Sequence, residues 1–445
     1  MMPSIGLLSL GCPKNLVDSE VMLGLLQSAQ YTITNNESDA DVLIVNTCGF
    51  IESAKEESIR HIFELSQHKE TGHCKALIVT GCLAQRYSKE LMEEIPEIDA
   101  IVGPGHINEI VQVVNQSLKD KVRHCQVNDP LYIYDEHSPR LLSTPSYTAY
   151  VKISEGCDNR CAYCAIPDIR GKFRSRSLES IETEVKALVA GGVKEVILIA
   201  QDTTRYGFDI YGEYSLDKLI RRLGTIDDLK WIRLLYCYPN RFTDKLIKAI
   251  AETPKVCKYI DLPLQHAADE ILRAMKRPVT KQQARELMQK LRSEIPGIVI
   301  RTSLIVGFPG ETEEHFEELL DFMAEVKFDR AGVFSYSQEE GTPAAEMTNQ
   351  VHGKIKQERY HRAMKLQREI SLKQNQQRIG QEMEVVVEEL VDENKRVYIG
   401  RSSYDAPEID GTVEFTSPLA LRVGDFVRVR INRALEYDLM GELAQ

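Results

Sequence analysis

The chain has 445 residues, 43% apolar and 27% charged. This composition excludes a disordered or collagen-like chain, and because single hydrophobic cores stop growing near about 250 to 300 residues it points to two or three domains. A formal net charge of -12 excludes a broad surface for gripping a phosphate backbone and suits a basic partner better.

No charged-then-apolar leader opens the sequence, and no run reaches the roughly 20 apolar residues of a membrane span, so a cytoplasmic location without membrane association is expected. In that compartment ten cysteines point to metal ligation or catalysis rather than to disulfides.

Residues 1–125 read as a first domain. Apolar runs at 5–10, 42–46 and 76–80, each followed by an amphipathic stretch, predict parallel α/β structure. Cys12, Cys48 and Cys82 each fall within two residues of the end of one of these runs. If the strands are parallel, the three thiols emerge at one carboxyl edge, the crevice where open α/β sheets bind ligands. Gly11, Gly49 and Gly81 beside them would ease the turns and let the backbone approach a bulky inorganic group. The alternative is three buried cysteines acting as small hydrophobes. The turn at Gly103-Pro104-Gly105, a helix to about 118 and a linker over 126–145 close this part.

Residues 146–376 read as a second domain. Six strand-like runs, at 149–154, 195–200, 231–235, 259–264, 299–306 and 331–335, alternate with helical segments such as 178–190, 281–294 and 312–326, which predicts an incomplete barrel of parallel strands, a partial (β/α)6 barrel. A charged helix at 354–378 stops at Gly380. Residues 377–445 then show short strands at 383–390, 396–400, 411–415 and 426–434 and predict a small antiparallel β-barrel.

Directly after the first barrel strand comes Cys157-Asp158-Asn159-Arg160-Cys161-Ala162-Tyr163-Cys164. It puts three thiols on one tight loop at the barrel mouth, where such barrels carry their active sites. A structural zinc site would want a closed four-ligand shell, and this loop offers three cysteines with no nearby histidine. Three thiolates on a four-iron cluster leave one iron open to a reactant. Cys74, Cys125, Cys237 and Cys257 show no pattern and are expected non-ligands.

The triplet, with an aromatic before its last cysteine, resembles the signature of the radical S-adenosylmethionine superfamily. That resemblance implies that Cys157, Cys161 and Cys164 hold a 4Fe-4S cluster whose free iron binds S-adenosylmethionine, and that a 5'-deoxyadenosyl radical is formed there. Candidate cofactor contacts are Tyr163, Gln201, Asp202, Arg233, Gln265, Arg301 and Gly307, each beside the alternative of a barrel-mouth residue that serves fold or substrate.

Both triplets in this order, followed by a small β-barrel, resemble the methylthiotransferase family across essentially the whole chain. The resemblance implies a TRAM domain at the carboxyl end, a second 4Fe-4S cluster on Cys12, Cys48 and Cys82, and two uses of S-adenosylmethionine that turn a C-H bond into C-S-CH3. Segments 9–15, 157–176, 236–239 and 262–267 are similar to the family's ribosomal-protein branch. That branch implies an aspartate β-carbon in a small-subunit ribosomal protein, met free or on the ribosome, and an electron donor such as a flavodoxin or ferredoxin.

The rival tRNA branch modifies isopentenyl-adenosine. Residues 381–445 carry seven Lys and Arg against fourteen Asp and Glu, which suits a basic protein better than a phosphate backbone. The basic run from Arg170 to Arg176 adjoins the cluster loop and could equally hold a carboxylate. A non-catalytic iron-sulfur electron carrier is the reading from another class, and it has no use for open iron sites or a deep barrel.

Overall fold

The computed structural model describes residues 3–120 and 122–444. Its first unit is a six-stranded parallel sheet: β1 (Ser4–Ser9), β2 (Thr32–Ile33), β3 (Val42–Thr47), β4 (Ala76–Gly81), β5 (Ala100–Val102) and β6 (His124–Gln126), in the order β2-β1-β3-β4-β5-β6. All six residues of β3 and of β4 are buried, the mark of strands covered by helices on both faces. The helix α1 (Pro13–Ser28) leaves the end of β1 with Cys12 as its N-cap and Pro13 at the first helical position, where a missing N–H costs nothing.

The second unit is an open sheet of six parallel strands: β7 (Thr148–Lys152), β10 (Glu195–Ile199), β11 (Trp231–Leu234), β12 (Val256–Asp261), β13 (Val299–Val306) and β14 (Arg330–Ser335). Between the first two, β8 (Ser154–Glu155) and β9 (Arg174–Ser175) form a small antiparallel pair. The six strands lie in unbroken chain order from β7 to β14, as right-handed β-α-β crossovers require. This is the expected partial barrel. Outward side chains such as Val151, Val196, Leu198, Ile260 and Leu304 pack on the helices.

Inward side chains meet different company. Tyr150, Ile197, Ile199 and Tyr259 share one buried apolar cluster with Val17 and Val21 of α1 and with Val386 and Ala406 of the third unit. The concave face is thus filled by the domains on either side of it.

That third unit is a closed five-stranded barrel of β15 (Glu382–Asp392), β16 (Val397–Ser402), β17 (Val413–Thr416), β18 (Phe426–Ala434) and β19 (Leu439–Leu443). This is the expected small β-barrel, antiparallel except that β17 and β19 pair in parallel. The fifth strand, β19, escaped the sequence reading, as did β2, β5 and β6. Strands of two or three residues have no room for a period, and β19 carries a glycine at its centre.

The barrel docks against the amino-terminal ends of the central strands. Glu195, the first residue of β10 and fully buried, receives Arg233 at 2.9 Å and Arg401 at 2.5 Å. Arg233 also donates to the Ser403 carbonyl at 3.1 Å, Tyr259 to Asp410 at 2.6 Å, and Arg330 pairs with Asp405 at 2.7 Å. Burial alone would raise the Glu195 carboxyl, but Arg401 and Arg233 hold it at about 2 against an ordinary 4.5. Its contribution to docking is therefore complete above about pH 4.5 and fades as pH falls toward 2.

Replacing Glu195 by Ala strands two buried guanidinium groups, so Glu195→Ala should lower unfolding free energy by about 3 to 5 kcal/mol. Chemical denaturation of the two proteins in parallel checks this, and a loss under about 1 kcal/mol would mean that the pairs are dispensable.

Candidate active site

The carboxyl edge of the first sheet brings Cys12, Cys48 and Cys82 together. They follow β1, β3 and β4, which are neighbours in the sheet. Gly11 and Gly81 hold φ of +86° and +95°, values that favour glycine. A Cβ at Gly11 would meet the Cβ of Cys48 at 2.8 Å and its Sγ at 3.1 Å, so the end of β1 lies directly on Cys48. The backbone of Cys48 is fixed by Ser58, whose hydroxyl accepts from its N–H and donates to its carbonyl, both at 3.0 Å.

Asn15, wholly buried one residue past Lys14, ties this edge together. Its amide donates to the Leu10 carbonyl at 3.1 Å and the Thr47 carbonyl at 2.9 Å, and its oxygen accepts from Arg170. Arg170 also reaches Cys82 Sγ at 3.5 Å.

The central triplet sits on the loop after β8. Cys157 N–H donates to the Gly171 carbonyl at 3.0 Å, and Ala162 N–H to the Met275 carbonyl at 2.9 Å. Asn159 anchors the middle of the loop: it donates to Asp202 at 2.8 Å and accepts from Arg241 at 2.9 Å, while Arg241 also pairs with Asp202. The Arg277 guanidinium lies 3.9 Å from the centre of the Tyr238 ring and 3.9 Å from Cys161 Sγ. Each triplet therefore has one buried arginine beside a thiol.

The two triplets adjoin. Cys82 packs with Ala165 and Ile169, and Ala165 directly follows Cys164 in the chain. Around this seam lies a buried network in which Asp18 of α1 pairs with Lys152 and, at 2.6 Å, with Arg170. Glu155 accepts from Lys152 at 2.6 Å and from Arg170 at 3.3 Å. These side chains are 2 to 5% exposed. Burial would raise the Glu155 carboxyl, but Lys152 and Arg170 bring it well below the usual range.

Burial also raises the thiols: Cys48 to about 12, Cys157 to about 11, and Cys82 and Cys164 upward as well. Metal ligation needs thiolates, so any metal bound here must displace protons and supply the charge that burial withholds. Among the described residues no three Cys, His, Asp or Glu side chains close around a single-ion position. Each triplet has an arginine beside one of its sulfurs, Arg170 at Cys82 and Arg277 at Cys161, which offsets thiolate charge.

The other expected contacts divide. Gln201 donates to Glu155 and joins the seam. Asp202 holds Asn159 and so positions the cysteine loop. Tyr163 is packed against the cluster that contains Ala162, Met275 and Phe308. Gln265 adopts a φ of +76°, and its backbone bridges to β13 through Ser303 and Ile305. Gly307, with φ of +74°, donates its N–H to Glu311 at 2.8 Å. Arg301 is committed to Asp261 at 2.7 Å and faces Asp410 at 3.5 Å.

Arg233 does not join this group. It is fully buried at the opposite end of the strands, paired with Glu195 and the C-terminal barrel, and it serves docking rather than cofactor contact. Neither of two surface cavities, about 710 and 390 Å³, is lined by any of the six cysteines.

Several site residues escaped the sequence reading: Lys14, Asn15, Asp18, Lys152, Glu155 and Tyr236. A signal existed, for Lys152 ends a strand that is buried along its whole length, and a buried lysine needs a partner. Lys14 is 9% exposed, with Nζ 3.1 Å from the centre of the Tyr236 ring. Burial lowers its ammonium pKa, and Cys12 and Asp261 act against that shift. Tyr236 itself holds a φ of +60°, a conformation costly for an aromatic residue and typical of functional sites.

Three family models match successive parts of the chain. Residues 4–103 match an uncharacterised protein family, UPF0004, residues 151–323 the radical SAM superfamily, and residues 379–444 the TRAM domain. The chain is 82% identical over 444 residues, all of both chains, to "Ribosomal protein uS12 methylthiotransferase RimO" of Desulforamulus reducens. It is 56% identical to the protein of that name in Heliobacterium modesticaldum, over 98% of this chain and 94% of that one, and 54% identical to the one in Geobacter sulfurreducens, over 99% and 98%. Among solved structures it resembles a radical S-adenosylmethionine methyltransferase, TsrM, of Kitasatospora setae, with TM-score 0.55, 15% identity, and 74% of this chain and 72% of that one covered. At that identity the likeness is one of fold.

The seam predicts a lesion in iron binding. Arg170→Met removes the partner of Asp18, Asn15 and Cys82, and should lower the iron that the reconstituted protein retains. Iron counting on Arg170→Met, alone and combined with Ala at the central cysteines, separates the contributions of the two triplets.

Proposed function

The chain belongs to the RimO family of ribosomal protein uS12 methylthiotransferases, and from that premise we propose how its own residues carry out the reaction. It is a radical S-adenosylmethionine enzyme. The target is the β-carbon of an aspartate side chain in uS12. Cys157, Cys161 and Cys164 hold one 4Fe-4S cluster, and Cys12, Cys48 and Cys82 hold the other. When bound, the clusters and S-adenosylmethionine supply the radical and the methylthio group.

What remains is the work of the protein. Asn159, Asp202 and Arg241 fix the central loop, and Asn15 and Ser58 fix the other edge. Arg277 and Arg170 balance charge at the two thiol sets. The helix α1 and the C-terminal barrel close the concave face and exclude water from a reactive intermediate. The observation that carries this reading is the contact of Cys82 with Ala165 and Ile169, which sets the two triplets side by side on one seam, as a transfer between two centres requires.

The acidic C-terminal barrel supports a basic ribosomal protein over tRNA as partner. An electron donor such as a flavodoxin or ferredoxin supplies electrons, in the cytoplasm where ribosomes are made. Among the described residues no helix is long and apolar enough to cross a membrane.

Two experiments follow. Replacing Cys157, Cys161 and Cys164 by Ala should abolish reductive cleavage of S-adenosylmethionine, whereas replacing Cys12, Cys48 and Cys82 should spare cleavage and abolish methylthio transfer. Loss of cleavage in the second variant, with its central cluster intact, would contradict the division of labour. Mass spectrometry of uS12 and of tRNA from cells with and without the chain should find only uS12 changed, and altered tRNA with unaltered uS12 would overturn the substrate.

A further inference from the structure

Lys14 is a buried cation that makes no ion pair among the described residues, although Cys12 and Asp261 act on it from a distance. Its side chain spans from the first domain to Tyr236 at the end of β11, with Nζ 3.1 Å above the ring. Among the described residues no carboxylate lies within 4 Å of Nζ and no acceptor takes its hydrogens, yet Nζ is not among the polar atoms sealed from solvent. Nζ therefore keeps a little contact with solvent.

The nearby carboxylates are already taken. Asp261 accepts from Arg301 at 2.7 Å through one oxygen and from the Tyr236 N–H at 2.9 Å through the other. Glu155 accepts from Lys152 and Arg170 through one oxygen and from Gln201 and Gly156 through the other. A lysine buried to this degree is costly unless an anion completes it. The Tyr236 face offers only a partial substitute, since cation-π attraction is weaker than a charge-assisted hydrogen bond.

The place of this cation is informative. Lys14 is two residues from Cys12, and its helix carries Asp18 into the seam beside Cys82 and Arg170. Tyr236 is held in a left-handed backbone conformation by Asp261 and by Thr203, whose N–H donates to the Tyr236 carbonyl at 3.0 Å. Such an over-determined residue keeps the ring beneath Nζ rigid. The Lys14–Tyr236 contact thus lies between the cysteine-bearing edge of the first domain and the carboxyl ends of the barrel strands.

We propose that Lys14, over the Tyr236 ring, is the subsite for the side-chain carboxylate of the protein substrate, and so selects an aspartate for reaction between the two cysteine triplets. This rests on the aspartate-modifying reading above. Holding the carboxylate immobilises the adjacent β-carbon at the seam, and an asparagine at the same position leaves the Lys14 charge unmatched. Lys14 is on this account a specificity-determining residue.

The test is binding to the reconstituted holoenzyme without reductant, with uS12 and with uS12 carrying Asn in place of the modified aspartate. The wild-type enzyme should prefer the aspartate form by roughly tenfold or more, the value of a charge-assisted hydrogen bond in a desolvated site. Lys14→Met should bind both forms alike, and Lys14→Arg should retain most of the preference.

Equal binding of both forms by the wild-type enzyme would overturn the subsite while leaving the proposed reaction standing, and it does so whether or not the variants fold. A preference that survives in Lys14→Met, or a loss of S-adenosylmethionine binding in its stead, would assign the cation elsewhere, in the latter case to the cofactor's own carboxylate. Failure of the wild-type enzyme to bind uS12 at all would sink the substrate reading and this inference together.

Discussion

Four charges removed from water hold the site together. Asp18, Lys152, Glu155 and Arg170 come from α1, β7, β8 and the short helix Ile166–Arg170, and none of their side chains exceeds 5% exposure. Such a network yields little net stability, because desolvation offsets most of the attraction, but it punishes any misalignment severely. Its effect is to fix one register between the first domain and the barrel. The contact of Cys82 with Ala165 and Ile169 depends on that register, and so does any transfer between the two triplets.

A second constraint acts from below. The open barrel has six strands, too few to close and fill its own interior. Val17 and Val21 of α1 enter the concave face from one side, Val386 and Ala406 from the other, and Glu195 with Arg233 and Arg401 fastens the lower contact. The C-terminal barrel is thus part of the core as well as an acidic outer surface. Its removal would expose Tyr150, Trp231 and Tyr259, side chains that a soluble barrel cannot leave in water.

The parts of this arrangement that repeat were legible in the sequence. The runs ending at Cys12, Cys48 and Cys82 are strand-length and uniformly apolar, so their phase relative to the cysteines could be read without a structure. The loop from Cys157 to Cys164 is local, and local spacing survives folding unchanged. What depends on contacts distant in sequence was hidden: nothing near Arg233 says that a glutamate 38 residues earlier and a serine carbonyl 170 residues later will claim it. Lys14 lay in plain view within segment 9–15 and Asp18 three residues beyond it, but only the packing of α1 on β7 reveals that Asp18 is paired and that Lys14, among the described residues, is not. The strands β2, β5, β6 and β19 were missed because they are too short, or too interrupted, to show a period.

The central claim is that the two triplets carry two clusters close enough to act on one substrate. Electron paramagnetic resonance of the reduced, fully loaded protein tests it most directly, because neighbouring paramagnetic clusters broaden and split each other's signals. The account predicts a spectrum that differs from the sum of the two signals recorded separately from the Cys12/Cys48/Cys82→Ala and Cys157/Cys161/Cys164→Ala proteins. A spectrum equal to that sum would place the clusters too far apart and contradict the shared seam.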